Sequence, residues 1–240
     1  SSAAQLALAG PWLRPSRAAL LALTADPPAA PAVAADPGAV LHVLRFARPA
    51  ADPTRLAFSD QLLSDPRLCD AAAAGLTLAP TADWTDSDPG RRVIRLGRAV
   101  ADLATTLAAD FTLCTPDAAR AAGLLAPLGW YAVAAADPDA ITNCLDDPTF
   151  PADPRSTQAR RWGHDAAAVA RRAVDRWGLP APFAATVGFL ALPLEDAARL
   201  GAHPGLFRAV RAAVRAVERA VGVPGWVGGT APAEPDPELD

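Results

Sequence analysis

The sequence predicts an all-α protein, and three observations carry that prediction. Asp-Pro pairs punctuate the chain at 26–27, 36–37, 52–53, 65–66, 88–89, 137–138, 147–148, 153–154 and 236–237. An Asp side chain accepts hydrogen bonds from first-turn amides and Pro fits the first helical position, so each pair is a ready helix start. Between the pairs, apolar residues recur at three- and four-residue spacing, the period of a one-sided helix. No stretch competes with the alternation that a half-buried strand requires.

Taken in order, helices are expected at 15–25, 36–48, 58–74, 91–109, 116–135, 157–177, 181–191, 194–202 and 204–221. The lead-in from Ala3 to Leu13 is apolar but lacks the preceding positive region of a secretory signal, and reads as a helix or an approach to one. In 91–109 the stripe is Val93, Leu96, Val100, Leu103 and Leu107; in 157–177 it is Trp162, Ala166, Val169, Ala173 and Trp177. The strongest stripe, Leu206, Phe207, Val210, Val214, Val217 and Val221, lies opposite the row Arg208, Arg211, Arg215 and Arg219. Ala79–Gly90, around Trp84, and Asp146–Arg155 read as loops. From Gly222 the chain turns to Gly, Pro and acid, a composition expected to stay a loose linker to a further segment. The organisation expected is one compact unit: an N-terminal helical part over 1–85, a helical bundle over 86–225 and a tail over 226–240.

Composition narrows the function. The 240 residues are 51% hydrophobic and 20% charged, with a net charge of −4. That balance is too apolar for a disordered coil and offers no overall positive field for nucleic acid or an anionic membrane. Two uncharged runs, 121–136 and 177–194, are shorter than a spanning helix needs and are interrupted by prolines. Cys69, Cys114 and Cys144 are odd in number and widely spaced, which suits neither a disulfide framework nor a metal clip and fits a reducing, cytoplasmic setting.

The residues that could carry chemistry are few. His164-Asp165 is an adjacent pair of potential metal ligands, but a catalytic centre needs three or four converging ligands, and the chain holds only His42, His164 and His203. With Arg160, Arg161, Arg171 and Arg172 around it, the pair reads as a solvated helix face. His42 sits in an apolar run, and His203 precedes Pro204 at a helix start. No Gly-x-Ser-x-Gly elbow, phosphate loop or Cys/His spacing nominates a nucleophile or base. Two features could bind instead. The arginine row could grip phosphate or carboxylate through planar forks, although a solvated face is the plainer reading. Trp84, placed in a loop, could anchor a partner, whereas Trp130, Trp162 and Trp177 read as core.

Three segments resemble the HDOD domain, a largely non-catalytic branch of the His-Asp helical phosphohydrolases. Val33–Arg45 is similar to Ile-x-x-Asp-Pro-x-Leu-x-x-x-Leu-Leu-Arg, Ala121–Trp130 to Ala-Gly-Leu-Leu-His-Asp-Ile-Gly, and Trp162–Pro180, without a gap, to the segment from Gly-x-Asp-His to Trp-x-Leu-Pro. They occur in the family's order, and with 91–109 the similarity spans most of residues 12–221. The resemblance implies an HD-like multi-helix bundle. It also implies that the metal ligands are lost, since Leu96, Ala126 and Pro127 stand where metal-dependent relatives carry His, His and Asp. Asp165 matches the family's Asp, Ala166 its following His, and Phe189-Leu190-Ala191 the place of consecutive histidines.

The function expected from this is a non-catalytic bacterial signalling or regulatory domain with no cofactor and no metal. It would bind a protein partner or an adjacent signalling domain through surfaces such as the arginine row or Trp84. The alternatives are a divergent metal-dependent phosphohydrolase working through His164 and Asp165, and a helical small-molecule sensor with an apolar pocket near Leu96 and Ala126.

Overall fold

The computed structural model describes residues 2–9, 12–26, 28–47, 65–78, 81–82, 84–85 and 87–227. Among them lie fourteen helices: α1 (Ala3–Ala9), α2 (Arg17–Leu23), α3 (Ala30–Ala34), α4 (Pro37–Phe46), α5 (Pro66–Leu78), α6 (Asp88–Asp110), α7 (Pro116–Leu125), α8 (Leu128–Ala136), α9 (Pro138–Leu145), α10 (Pro154–Trp162), α11 (Ala166–Trp177), α12 (Ala181–Gly188), α13 (Leu194–Arg199) and α14 (Pro204–Ala220). The fold is all-α apart from one parallel pair of two-residue strands, β1 (Trp12–Leu13) and β2 (Thr81–Ala82), with Trp12 opposite Thr81. No helix among the described residues is long and apolar enough to cross a membrane.

The Asp-Pro pairs act as read at three starts. Asp36, Asp137 and Asp153 accept from the amides of Ala39 (2.9 Å), Ala140 (3.1 Å) and Ser156 (3.1 Å). At α6 the cap moves one residue upstream, to Ser87. Asp147-Pro148 starts no helix, for a reason that belongs to the site below.

Two expected helices are each broken in two. The 116–135 run ends at Leu125 and restarts at Leu128, because Pro127 has no amide for a continuing helix and serves as the cap of α8. The 157–177 run ends where Gly163 turns left-handed (φ 91°), and Asp165 caps α11 by accepting from Ala168 at 2.7 Å. The stripe from Trp162 to Trp177 therefore belongs to two helices. The part of the 58–74 helix before Asp65 lies outside the described residues; α5 runs on to Leu78.

α6 occupies the middle of the bundle, with α7 and α14 packed along it and α8 and α9 at its side. α8 in turn packs on α11, α12 on α11, and α1 lies over α8. The N-terminal part, α2 to α5, meets this body where α4 packs on α7 and β1 on α8, and Arg98 of α6 donates to the Ala35 carbonyl at 3.2 Å. His42, wholly buried on α4, bonds the Leu13 carbonyl through Nε2 at 3.1 Å, and the Trp84 indole donates to the Arg14 carbonyl at 3.2 Å. The Trp84 ring also packs on Tyr131, with ring centroids 5.1 Å apart.

The C-terminal residues 222–227 are built into the body, against the expectation that the chain loosens from Gly222. The buried Glu218 carboxylate accepts from Gly225 (3.0 Å) and Val227, while the Trp226 carbonyl accepts from the Trp130 indole (3.0 Å) and the Gln158 amide (3.1 Å). A charged acceptor and a large ring supply the interactions that the segment's Gly and Pro content alone did not foretell. The tail beyond Val227 lies outside the described residues.

Two stability outcomes follow. A Cβ at Gly97 would stand 1.9 Å from the Tyr131 hydroxyl oxygen and 2.9 Å from the Leu124 carbonyl, so Gly97→Ala is expected to cost about 1–3 kcal/mol in urea unfolding. Burial lowers the His42 pKa to about 4. The unfolded chain then binds this proton first as pH falls from roughly 6.5, and native stability drops through that window until about pH 4, by up to about 3 kcal/mol. Denaturant titrations across this range should show the slope flattened in His42→Gln, which keeps a donor for Leu13 but has no proton to gain.

Candidate functional site

The positions that the resemblance matches to ligands of metal-dependent relatives are apolar and packed. Leu96 lies on α6, Ala126 and Pro127 lie between α7 and α8, and all three are buried. None has an atom suited to holding a metal ion. Among the described residues no three His, Cys, Asp or Glu side chains converge where a metal could sit.

The visible His164-Asp165 pair is occupied with local structure. Asp165 caps α11 and accepts an ion pair from Arg155 at 2.8 Å. Burial alone would raise the Asp165 carboxyl, but the Arg155 guanidinium and the Ala168 amide outweigh it and hold it below its ordinary value. His164 Nε2 lies 2.8 Å from Arg172 Nη1, so the imidazole accepts from a cation on the next helix. His203, as expected, stands at a helix start, its Nδ1 accepting from the Leu206 amide at 3.2 Å. The three thiols are free, and burial pushes Cys114 up to about 11 and Cys144 up to about 12, away from thiolate chemistry at neutral pH.

The two expected binding features fare differently. Trp84 is wholly buried, which corrects its reading as an exposed loop anchor: its flanking turn residues are polar, yet its ring packs on Tyr131 and its N–H reaches Arg14. The arginine row does lie along one side of α14, but only Arg219 is fully exposed. Arg208, Arg211 and Arg215 are half-buried, and the Arg211 guanidinium lies over the Phe207 ring at 5.6 Å. Their stems cover apolar surface, so the row is part of the packing as well as a charged face.

The structure also contains a cleft of about 490 Å³, open on one side, between α6, the end of α9, the loop after it and the end of α14. Its wall includes Leu96, Leu145, Phe150, Val217 and Trp226, and Arg92 and Arg95 stand on the α6 side. Leu96 lines it, as the sensor reading expects, whereas Ala126 is packed elsewhere. Arg92, Arg95, Leu96 and Ala99 share the cleft because i, i+3, i+4 and i+7 fall on one helix face.

The lip of the cleft is fixed by Asp147. Its carboxylate accepts from the Thr149 amide (3.0 Å) and hydroxyl (2.6 Å), from Arg161 (2.7 Å) and from Arg160 (3.2 Å). Thr149 and the two guanidiniums hold the carboxyl far below the usual carboxylate range. This is why Asp147-Pro148 starts no helix: the side chain that would cap one ties the loop to α10. Phe150, three residues on, meets Trp130 edge-on at 5.7 Å, and Trp130 meets Trp226 at 5.5 Å. The cleft escaped the sequence reading because its walls come from residues 92–99, 145–151 and 217–226; the one local signal was the stacking of turn-formers after Leu145.

The described residues form an all-helical bundle with apolar side chains at Leu96, Ala126 and Pro127. The HDOD domain model matches residues 87–191 of the chain. Two solved structures of the MmoQ response regulator from Methylococcus capsulatus str. Bath share the fold. The fragment 20–298 aligns with a TM-score of 0.59 and 22% identity over 87% of this chain and 85% of that one. The second aligns at 0.55 and 21%, over 93% of each chain. No curated protein matches the chain.

Asp147→Asn removes the charge that Arg160 and Arg161 share. Faster hydrogen exchange at residues 147–151 and a lower thermal midpoint are expected, with exchange inside α6 unchanged.

Proposed function

We propose that this chain is a non-catalytic regulatory domain of a bacterial signalling protein in the cytoplasm, acting by binding a protein partner or an adjoining domain. The observation that carries this reading is the chemistry of the former ligand positions: Leu96, Ala126 and Pro127 are apolar and buried, and cannot ligate or activate water. A phosphohydrolase built instead on His164 and Asp165 would have to release the Arg172 contact, the Arg155 ion pair and the cap of α11. The fold neighbours support a signalling context, since MmoQ is a response regulator.

The test is metal loading. Protein equilibrated with Mn²⁺, Fe²⁺ or Zn²⁺ and then dialysed is expected to retain no stoichiometric metal, to melt at an unchanged temperature and to leave bis-p-nitrophenyl phosphate intact. A retained equivalent that raises the midpoint, as selective binding to the native state must, together with metal-dependent hydrolysis, overturns the reading.

A further inference from the structure

We propose that the cleft between α6 and α14 is a binding site for an amphipathic monoanion: an alkyl chain or aryl ring ending in a carboxylate. The inference does not depend on the partner-binding reading, because it rests on the cleft alone.

Size comes first. About 490 Å³ is within the range of pockets that enclose small organic ligands. The wall is apolar, so an apolar ligand body displaces water at a gain proportional to the area covered. Val221 is 49% exposed at the rim, an apolar side chain about half of which faces water.

Charge selects the head group. Arg92 and Arg95 are exposed on the cleft side of α6, and neither pairs with a carboxylate among the described residues. Their neighbour Arg91, off the cleft, does pair, with Asp88. Two unneutralised guanidiniums three residues apart, beside an apolar wall, suit one carboxylate held by planar forks. Among the described residues no acidic side chain lines the cleft, so none of them offers a cationic head group a partner.

Rigidity completes the argument. The rings of Trp130, Phe150 and Trp226 brace one another edge-on, and the Asp147 network holds the loop that carries Phe150. A wall already in place costs little ordering when a ligand enters.

The probes are octanoate, octanol and acetate, titrated into the intact chain by calorimetry. Octanoate is expected to saturate at one equivalent. Octanol, which keeps the chain and loses the charge, should bind about tenfold or more weaker, and acetate should give no saturable signal. Arg92→Gln with Arg95→Gln, both exposed, should bring octanoate down to the octanol level. Ala99→Trp, also at an exposed position, should fill the cleft and abolish binding at an unchanged thermal midpoint. Absence of saturable octanoate binding overturns the proposal, as does equal affinity for octanol or full binding by the arginine variant. Should Ala99→Trp fail to fold, the arginine variant and the octanol comparison still decide.

Discussion

The close crossing of α6 and α7 is the constraint on which the rest of the bundle depends. A Cβ on Gly123 would lie 2.8 Å from the Cα of Ala101, and Gly97 on the same α6 faces the Leu124 carbonyl and the Tyr131 hydroxyl. The two backbones are therefore separated by almost no side chain at all. Dispersion falls steeply with distance, so helices in such contact gain many short-range interactions from small residues. An alanine-rich chain can build a dense core in this way, because what it lacks in side-chain volume it recovers in proximity. Tyr131 turns the same closeness to use: its hydroxyl donates to the Leu124 carbonyl at 2.9 Å, satisfying an acceptor at the end of α7, where the helix supplies few partners of its own.

Small residues leave gaps where helices diverge, and the tryptophans fill them. Trp130 meets Trp162 edge-on at 4.6 Å and also touches Phe150 and Trp226, so four rings from two helices, a loop and the C-terminal segment pack together. Two of the indole donors find a carbonyl: Trp130 donates to Trp226, and Trp162 to Ala140 at 3.0 Å. Burial of those two rings leaves no polar atom unsatisfied, whereas the buried Trp226 N–H has no hydrogen-bond partner among the described residues. The C-terminal segment is recruited into the fold by this ring cluster and by Glu218, rather than by any propensity of its own.

Much of this was legible in the sequence, and the exceptions have physical causes. The stripes of α6 and α14 were plain because polar and apolar faces alternate at the helical period. The resemblance at Ala121–Trp130 and Trp162–Pro180 falls within the segment that the HDOD model matches, and it rests on residues that shape helix ends and crossings, such as Gly123 and Asp165. Breaks at Pro127 and Gly163 were hidden by alanine, which continues a helical pattern without committing to a face. Asp147 misled because an Asp-Pro pair has two uses, and only the distant Arg160 and Arg161 decide between them. Trp84 misled in the opposite sense: polar turn residues surround it in sequence, but its indole donor finds the Arg14 carbonyl 70 residues away.

The cleft and the core are two faces of one helix, and that ties function to packing. α6 turns Gly97, Ala101 and Ala104 toward α7, and Arg92, Arg95, Leu96 and Ala99 toward the cleft. Leu96, which the resemblance matches to a ligand position of metal-dependent relatives, lines that cleft with an apolar side chain. A leucine there offers affinity for hydrocarbon and no atom for a metal ion, on a backbone that the α6–α7 crossing holds in place. The packing is too close to let α6 shift, so what the cleft presents on this side is set by the side chains that face outward from α6.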